Sequence, residues 1–258
     1  MSFHELVKSR PSQGIFEGAL NVNIILPGLI LGGIKRQILR RFPKEDKSVI
    51  QSIANEYNAI GFTQAGGSFR RRTPYEQVQF ANQASELGLR VLKPLHHEGL
   101  QIENLFLEGA RTMDVFLAKA TAKQTDQFIG HMFSDLYLAH RSGTIYGDRW
   151  SENTLIVPGI GIVHIDFDIE ILGPPAKDFE ASQVAYYILA GAKAKAIPQL
   201  AQLLSIPNAN LDMKNVETFL RGHAEHFDTN EKYGNLKTEV GILIEHIYEK
   251  YESHRRSK

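Results

Sequence analysis

Apolar residues in the first third of the chain come in short runs broken by glycine and proline. Residues 14–42 are rich in Ile, Leu and Val, with Gly at 14, 18, 28, 32 and 33. That texture predicts short strands joined by tight turns. One strand falls near 15–16, a second over 21–26 and a third over 29–39, with Pro27-Gly28 as the turn between the last two. A helix is predicted over 47–60 inside a looser segment, 43–67. Thr73-Pro74-Tyr75-Glu76 reads as a helix start, because Thr caps and Pro suits the first turn. Val78, Ala81, Ala84 and Leu87 then keep helical spacing until Gly88. Residues 90–95 and 104–107 alternate as two further strands, with His96-His97 in a turn.

The period changes after Gly109. Residues 125–140 carry apolar positions at Phe128, Ile129, Met132, Phe133, Leu136 and Tyr137, an amphipathic helix preceded by a short helical pattern over 112–119. Two apolar runs, 154–157 and 162–165, joined by Pro158-Gly159, predict a hairpin. Helical spacing then fills 179–189, 197–204, 216–227 and 236–251. The pattern is that of an α+β chain with a strand-rich part over residues 1–108 and a mainly helical part over 109–258.

Composition narrows the function. The 258 residues contain no Cys, which removes disulfides, thiolate metal sites and Cys nucleophiles. Lys+Arg and Asp+Glu both number 29, so bulk positive charge does not favour a nucleic-acid partner, although Arg70-Arg71-Arg72 and Arg255-Arg256 form local basic clusters. The first residues lack the apolar stretch of a secretory signal, and the most apolar run, 22–34, is too short to span a bilayer, which takes about 20 residues. A soluble, cytoplasmic protein is the expectation. His223 and His226 lie three apart on a helix without a third metal ligand in view.

The informative stretch is 146–168, YGDRWSENTLIVPGIGIVHIDFD. Asp148 follows the long helix in a short turn, Asn153 opens the hairpin, and Asp166 ends it. A hairpin returns its ends to one place, so Asn153 and Asp166 are expected to be neighbours. An amide oxygen beside a carboxylate is a hard-oxygen set of the kind Mg²⁺ takes. Asp148 is then placed to accept the proton of an attacking hydroxyl. The plainer alternative is a set of ordinary polar loop residues.

Asp148-x-x-x-x-Asn153 and Asp166-Phe167-Asp168 match the catalytic loop and metal motif of the protein-kinase fold. Tyr146-Gly147-Asp148 and Ile165-Asp166-Phe167 resemble the atypical kinases of that superfamily, the small kinase of the KEOPS tRNA-modification complex and the RIO kinases. His140-Arg141-Ser142-Gly143 upstream and Lys177-Asp178-Phe179-Glu180 downstream resemble the segments that flank the loop there. The resemblance implies a bilobal protein-kinase-like fold that binds ATP and Mg²⁺. It implies that Lys35 holds the α- and β-phosphates, that Glu76 orients Lys35, that Glu108 beside Gly109 forms the nucleotide-holding hinge, and that Asn153 and Asp166 hold the metal. Lys35 also reads simply as a solvated charge, and Glu76 as a first-turn acid favoured by the helix dipole.

Three departures stand out. No G-x-G-x-x-G occurs; Gly14 and Gly18 offer a shorter phosphate-covering turn or a plain hairpin pair. Tyr146 stands where His is usual, and Asp168 where the motif ends in Gly. Similar motifs also occur in lipopolysaccharide, sugar, aminoglycoside and choline kinases. The expected function is therefore an ATP- and Mg-dependent phosphotransferase or ATPase of the KEOPS/RIO type, with a protein or small-molecule phosphoryl acceptor and protein complex partners open. A small-molecule kinase and a non-catalytic pseudokinase are the alternatives.

Overall fold

The computed structural model describes residues 15–17, 22–30, 33–41 and 47–256, with side chains over 48–256. Three strands, β1 (Ile15–Glu17), β2 (Val22–Ile30) and β3 (Gly33–Arg41), precede helix α1 (Lys47–Ile60). Then come β4 (Ser68–Arg71), α2 (Pro74–Glu86), β5 (His96–Glu98) and β6 (Gln101–Leu105). The second part runs β7 (Arg111–Thr112), α3 (Met113–Leu117), α4 (Ala122–Arg141), β8 (Thr154–Val157), β9 (Gly161–His164) and β10 (Ile169–Leu172). Helices α5 (Ala176–Ala192), α6 (Ile197–Leu204), α7 (Met213–His226) and α8 (Lys237–Arg256) complete it.

The largest sheet is antiparallel, with order β1-β2-β3-β6-β5. Here the expected turn at Pro27-Gly28 is corrected. Strand β2 continues through both residues, and Pro27 lies opposite Arg36 in β3. Proline is tolerated because β1 covers β2 only at Val22–Ile24. Beyond that point, among the described residues, β2 has an open edge where a missing N–H leaves no partner unmet. The other N-terminal strands also shift. His96-His97 belongs to β5 rather than a turn, and residues 90–95 make only one bridge, Val91 to His164. His97 faces Ile102 and His96 faces Glu103 across β5 and β6, so ladder pairing overrides the turn expectation.

The predicted cap of α2 is present in full. The Thr73 side chain accepts the Glu76 N–H while Glu76 accepts the Thr73 N–H, a capping box. Helix α4 begins with the same device, Thr121 and Gln124. Its apolar face, with Phe128, Ile129, Met132, Phe133 and Leu136, joins α5 to α8 in the main core.

Two long-range contacts tie the early chain to the late chain. Strand β4 pairs antiparallel with β10, Arg71 opposite Ile169 and Ser68 opposite Leu172. Helix α1 lies against α7, where a Cβ on Gly222 would meet the Ile60 carbonyl oxygen at 2.3 Å. Only glycine permits that approach. Tyr57 and Phe62 complete the contact, with ring centroids 5.0 and 4.4 Å from Phe179 of α5. Among the described residues, no helix is long and apolar enough to cross a membrane.

Candidate active site

The loop after α4 is held from below by α5. Glu180, fully buried, accepts the Gly147 N–H at 2.9 Å through one oxygen and His140 Nε2 at 2.7 Å through the other. His140 is on the last turn of α4, so one carboxylate fastens the helix end to the loop. Gln183, one turn further along α5, accepts the Arg149 N–H at 2.6 Å and donates to Asp148 Oδ1 at 2.7 Å. Gly147 itself is demanded by space and conformation. Its φ is +108°, and a Cβ there would lie 1.9 Å from the Ile169 carbonyl oxygen. Gly147→Ala is expected to destabilise the fold by about 3 kcal/mol and to lower the melting temperature by roughly 6–12 °C. An unchanged calorimetric melting curve would mean that the loop does not rest on Ile169 in solution.

Arg149 joins the loop to the hairpin. Its guanidinium is fully buried and donates to the carbonyl oxygens of Asn153 (3.2 Å), Ile165 (3.1 Å) and Asp166 (2.7 Å). Burial lowers its pKa, but an arginine stays charged. The Asn153 side-chain amide donates to the Asp148 carbonyl at 2.9 Å, and the Ile165 N–H donates to the Asn153 carbonyl at 3.0 Å. Asp166 adopts the left-handed backbone, φ 61°, uncommon for a non-glycine residue and frequent at functional turns. The backbones of Asp148, Asn153 and Asp166 are thus laced together, as the hairpin argument expects.

The two sequence departures have local explanations. Tyr146 stacks on His164 of β9, centroids 4.4 Å apart, so an imidazole still packs beneath the loop. Burial holds that imidazole neutral, its pKa well below the usual value. Asp168 is not in the left-handed region and takes the Arg72 N–H on its carbonyl at 2.7 Å, leading straight into β10. Nothing there requires glycine.

The electrostatics of the site come from burial. The Asp148 carboxyl is pushed up to about 6, chiefly by burial, with the Gln183 hydrogen bond and Arg149 opposing. From α1, Glu56 and Tyr57 reach the same region. Burial, then the Asp148 charge, pushes the Glu56 carboxyl up to about 8. The Tyr57 hydroxyl lies close enough to interact with Asp148 but makes no hydrogen bond of good geometry.

The remaining expected residues fall as follows. Lys35 is in β3 opposite Gly28, and its side chain lies outside the described residues. Glu76 is bonded to the Thr73 N–H (2.7 Å) and to Arg70 (2.7 Å), which together hold its carboxyl at about 2. Glu108 is exposed in the turn before Gly109, φ +71°. Gly14 and Gly18 lie outside the described residues. The arginine run is no uniform surface patch: Arg72 is buried and donates to the Phe167 carbonyl at 3.0 Å, while Arg70 pairs with Glu76 and Glu170. His223 is buried against the Phe219 carbonyl, and the described residues hold no group of three or more His, Asp or Glu suited to a metal. The pair of an Asn amide and an Asp carboxylate at 153 and 166 does have the hard-oxygen chemistry of Mg²⁺. The Asn153 NH₂ donates to the Asp148 carbonyl, so a metal at this place would take the amide oxygen.

No protein-family model and no curated protein matches the chain. Among solved structures, one similar chain is the Rio2 kinase of Chaetomium thermophilum in its ADP/Mg²⁺–phosphoaspartate complex. It is 14% identical, with a TM-score of 0.45 over 97% of this chain and 74% of that one.

Proposed function

We propose that the chain is a Mg-ATP-dependent phosphotransferase with a bilobal, protein-kinase-like fold, divided near residues 108 and 109. The observation that carries this reading is the lacing of Asp148, Asn153 and Asp166 by the Asn153 amide and the Arg149 guanidinium. The buried Arg149 guanidinium and the Asn153 amide thus set the backbones of two aspartates and an asparagine side by side, the residue types that hold a metal and move a proton.

In this reading Asn153 and Asp166 hold Mg²⁺, which neutralises phosphate charge when bound. Lys35 and the Gly14–Gly18 turn hold the donor phosphates, with Glu76 orienting Lys35 and Glu108 at the nucleotide edge. Asp148 orients the acceptor hydroxyl and takes its proton, and its raised pKa suits it to proton transfer near neutral pH. Catalysis rests on positioning and charge placement rather than a covalent intermediate. A KEOPS/RIO-type kinase or ATPase is the finer form of the proposal.

Asp166→Ala tests the metal assignment. The expected result is loss of Mg-dependent ATP binding by at least about tenfold in calorimetry, with the melting temperature of the empty protein little changed. Equal ATP affinity in the variant, with and without Mg²⁺, would remove Asp166 from the site.

A further inference from the structure

Helix α5 buries a continuous run from Val184 to Leu189, and the residue just before that run is a carboxamide with no exposed surface, Gln183. Methionine fills the same space without polar atoms, and a buried carboxamide is costly unless its hydrogen bonds are made. Gln183 makes them with two consecutive residues of the loop. Its Oε1 accepts the Arg149 N–H at 2.6 Å, and its Nε2 donates to Asp148 Oδ1 at 2.7 Å. Glu180, three residues earlier on the same face of α5, accepts the Gly147 N–H at 2.9 Å. Residue 148 is therefore held from one helix at three points: the N–H before it, the N–H after it and its own carboxyl.

The polarity of the Gln183 amide is forced. The Arg149 N–H only donates, so the carbonyl end of Gln183 faces it and the NH₂ end faces Asp148. An NH₂ group cannot accept, so Asp148 Oδ1 is engaged as an acceptor, and Oδ2 is left to meet another group. The Tyr57 hydroxyl of α1 adds a weaker contact to the carboxyl. Arg149 directs its guanidinium to the carbonyls of Asn153, Ile165 and Asp166 instead. The backbone bonds place residue 148; the Nε2 bond sets the rotation of its carboxyl plane.

We propose that Gln183 is a positioning residue for phosphoryl transfer: it holds Asp148 Oδ1 on α5 so that Oδ2 meets the acceptor hydroxyl. This rests on the phosphotransferase reading of Asp148. A neutral amide suits the task, because it donates to a carboxylate at short range without cancelling its charge.

A double-mutant cycle of Gln183→Met and Asp148→Asn in the full chain tests the role, read as ADP release under single-turnover conditions. Gln183→Met keeps the volume and removes both bonds. The expected result is release slower by roughly 10–100-fold. Mg-ATP affinity in calorimetry stays unchanged, since Asn153 and Asp166 keep their bonds to the Asp148 carbonyl and to Arg149. In the Asp148→Asn background the same substitution should cost less than about threefold, because a positioning residue acts only through the carboxylate it holds. Equal losses in both backgrounds, or weakened Mg-ATP binding, would overturn the role and leave Gln183 a structural residue. Nuclear magnetic resonance gives a second measurement that needs no change at Gln183. One Gln183 side-chain amide proton should resonate downfield of the ordinary range in the parent and return to it in Asp148→Ala. An ordinary shift in the parent, or a downfield shift that survives Asp148→Ala, would overturn the inference. A parent with the downfield proton but no ADP release removes the phosphotransferase reading, and the reaction role with it. ADP release without the downfield proton keeps that reading and removes Gln183.

Discussion

A phosphoryl-transfer rate lower by roughly 10²–10⁴ is the expected result for Asp148→Asn, with Mg-ATP affinity changed little. The substitution keeps the shape and removes the basic oxygen. Gln183 Nε2 still finds an amide oxygen in place of Asp148 Oδ1, so the side chain stays where α5 holds it. The Asn153 amide contacts the backbone carbonyl of residue 148, which the substitution leaves alone. Arg149 continues to bind the three carbonyls of the loop and hairpin. Metal-side geometry and base chemistry are therefore separable in this loop. ADP release under single-turnover conditions, beside Mg-ATP calorimetry, reads both. A turnover equal to that of the parent would mean that Asp148 takes no proton. A joint loss of turnover and Mg-ATP binding would mean that it holds the metal instead.

The parts of the site that were legible in the sequence are those closed by local geometry. Thr154–Val157 and Gly161–His164 form the expected hairpin, and closure alone brings Asn153 beside Ile165. The helix caps at Thr73 and Thr121 are local as well. Glu180 is legible as part of the acidic helix start, 177–180, whose resemblance implies that it anchors the loop, but its double grip on His140 and Gly147 has no sequence signal. Arg149 gave no signal because its partners are backbone carbonyls, which no side-chain pattern encodes. Strand β4 was missed for a related reason. Ser68–Arg71 is four residues of half-exposed alternation, and its partner β10 lies about a hundred residues on. Pro27 misled in the other direction, since proline marks a turn unless a strand has a free edge, and edges are set by the neighbour's length. Glu56 and Tyr57 carried no motif at all. Their relation to Asp148 depends on α1 crossing to α7, and that contact turns on the bare backbone of Gly222.

The second large effect is a pH-dependent gain in stability on Glu56→Gln. A carboxyl whose folded pKa lies above its unfolded value binds more protons folded than unfolded between the two values, so stability falls as pH rises through that window. For Glu56 the window runs from 4.5 to about 8. Asp148 adds the same sign between 3.8 and about 6. His164 and His223 act oppositely, because burial lowers their pKa values and stability is lost as pH falls below 6.5. Comparing the parent with Glu56→Gln cancels the histidines and leaves the Glu56 contribution. Near pH 4 the two proteins should melt together, since the parent carboxyl is protonated in both states. By pH 8 the variant should be more stable by on the order of 5 kcal/mol, roughly 10–20 °C in melting temperature. Parallel curves, or a variant less stable at pH 8, would mean that Glu56 meets a cation in the empty protein.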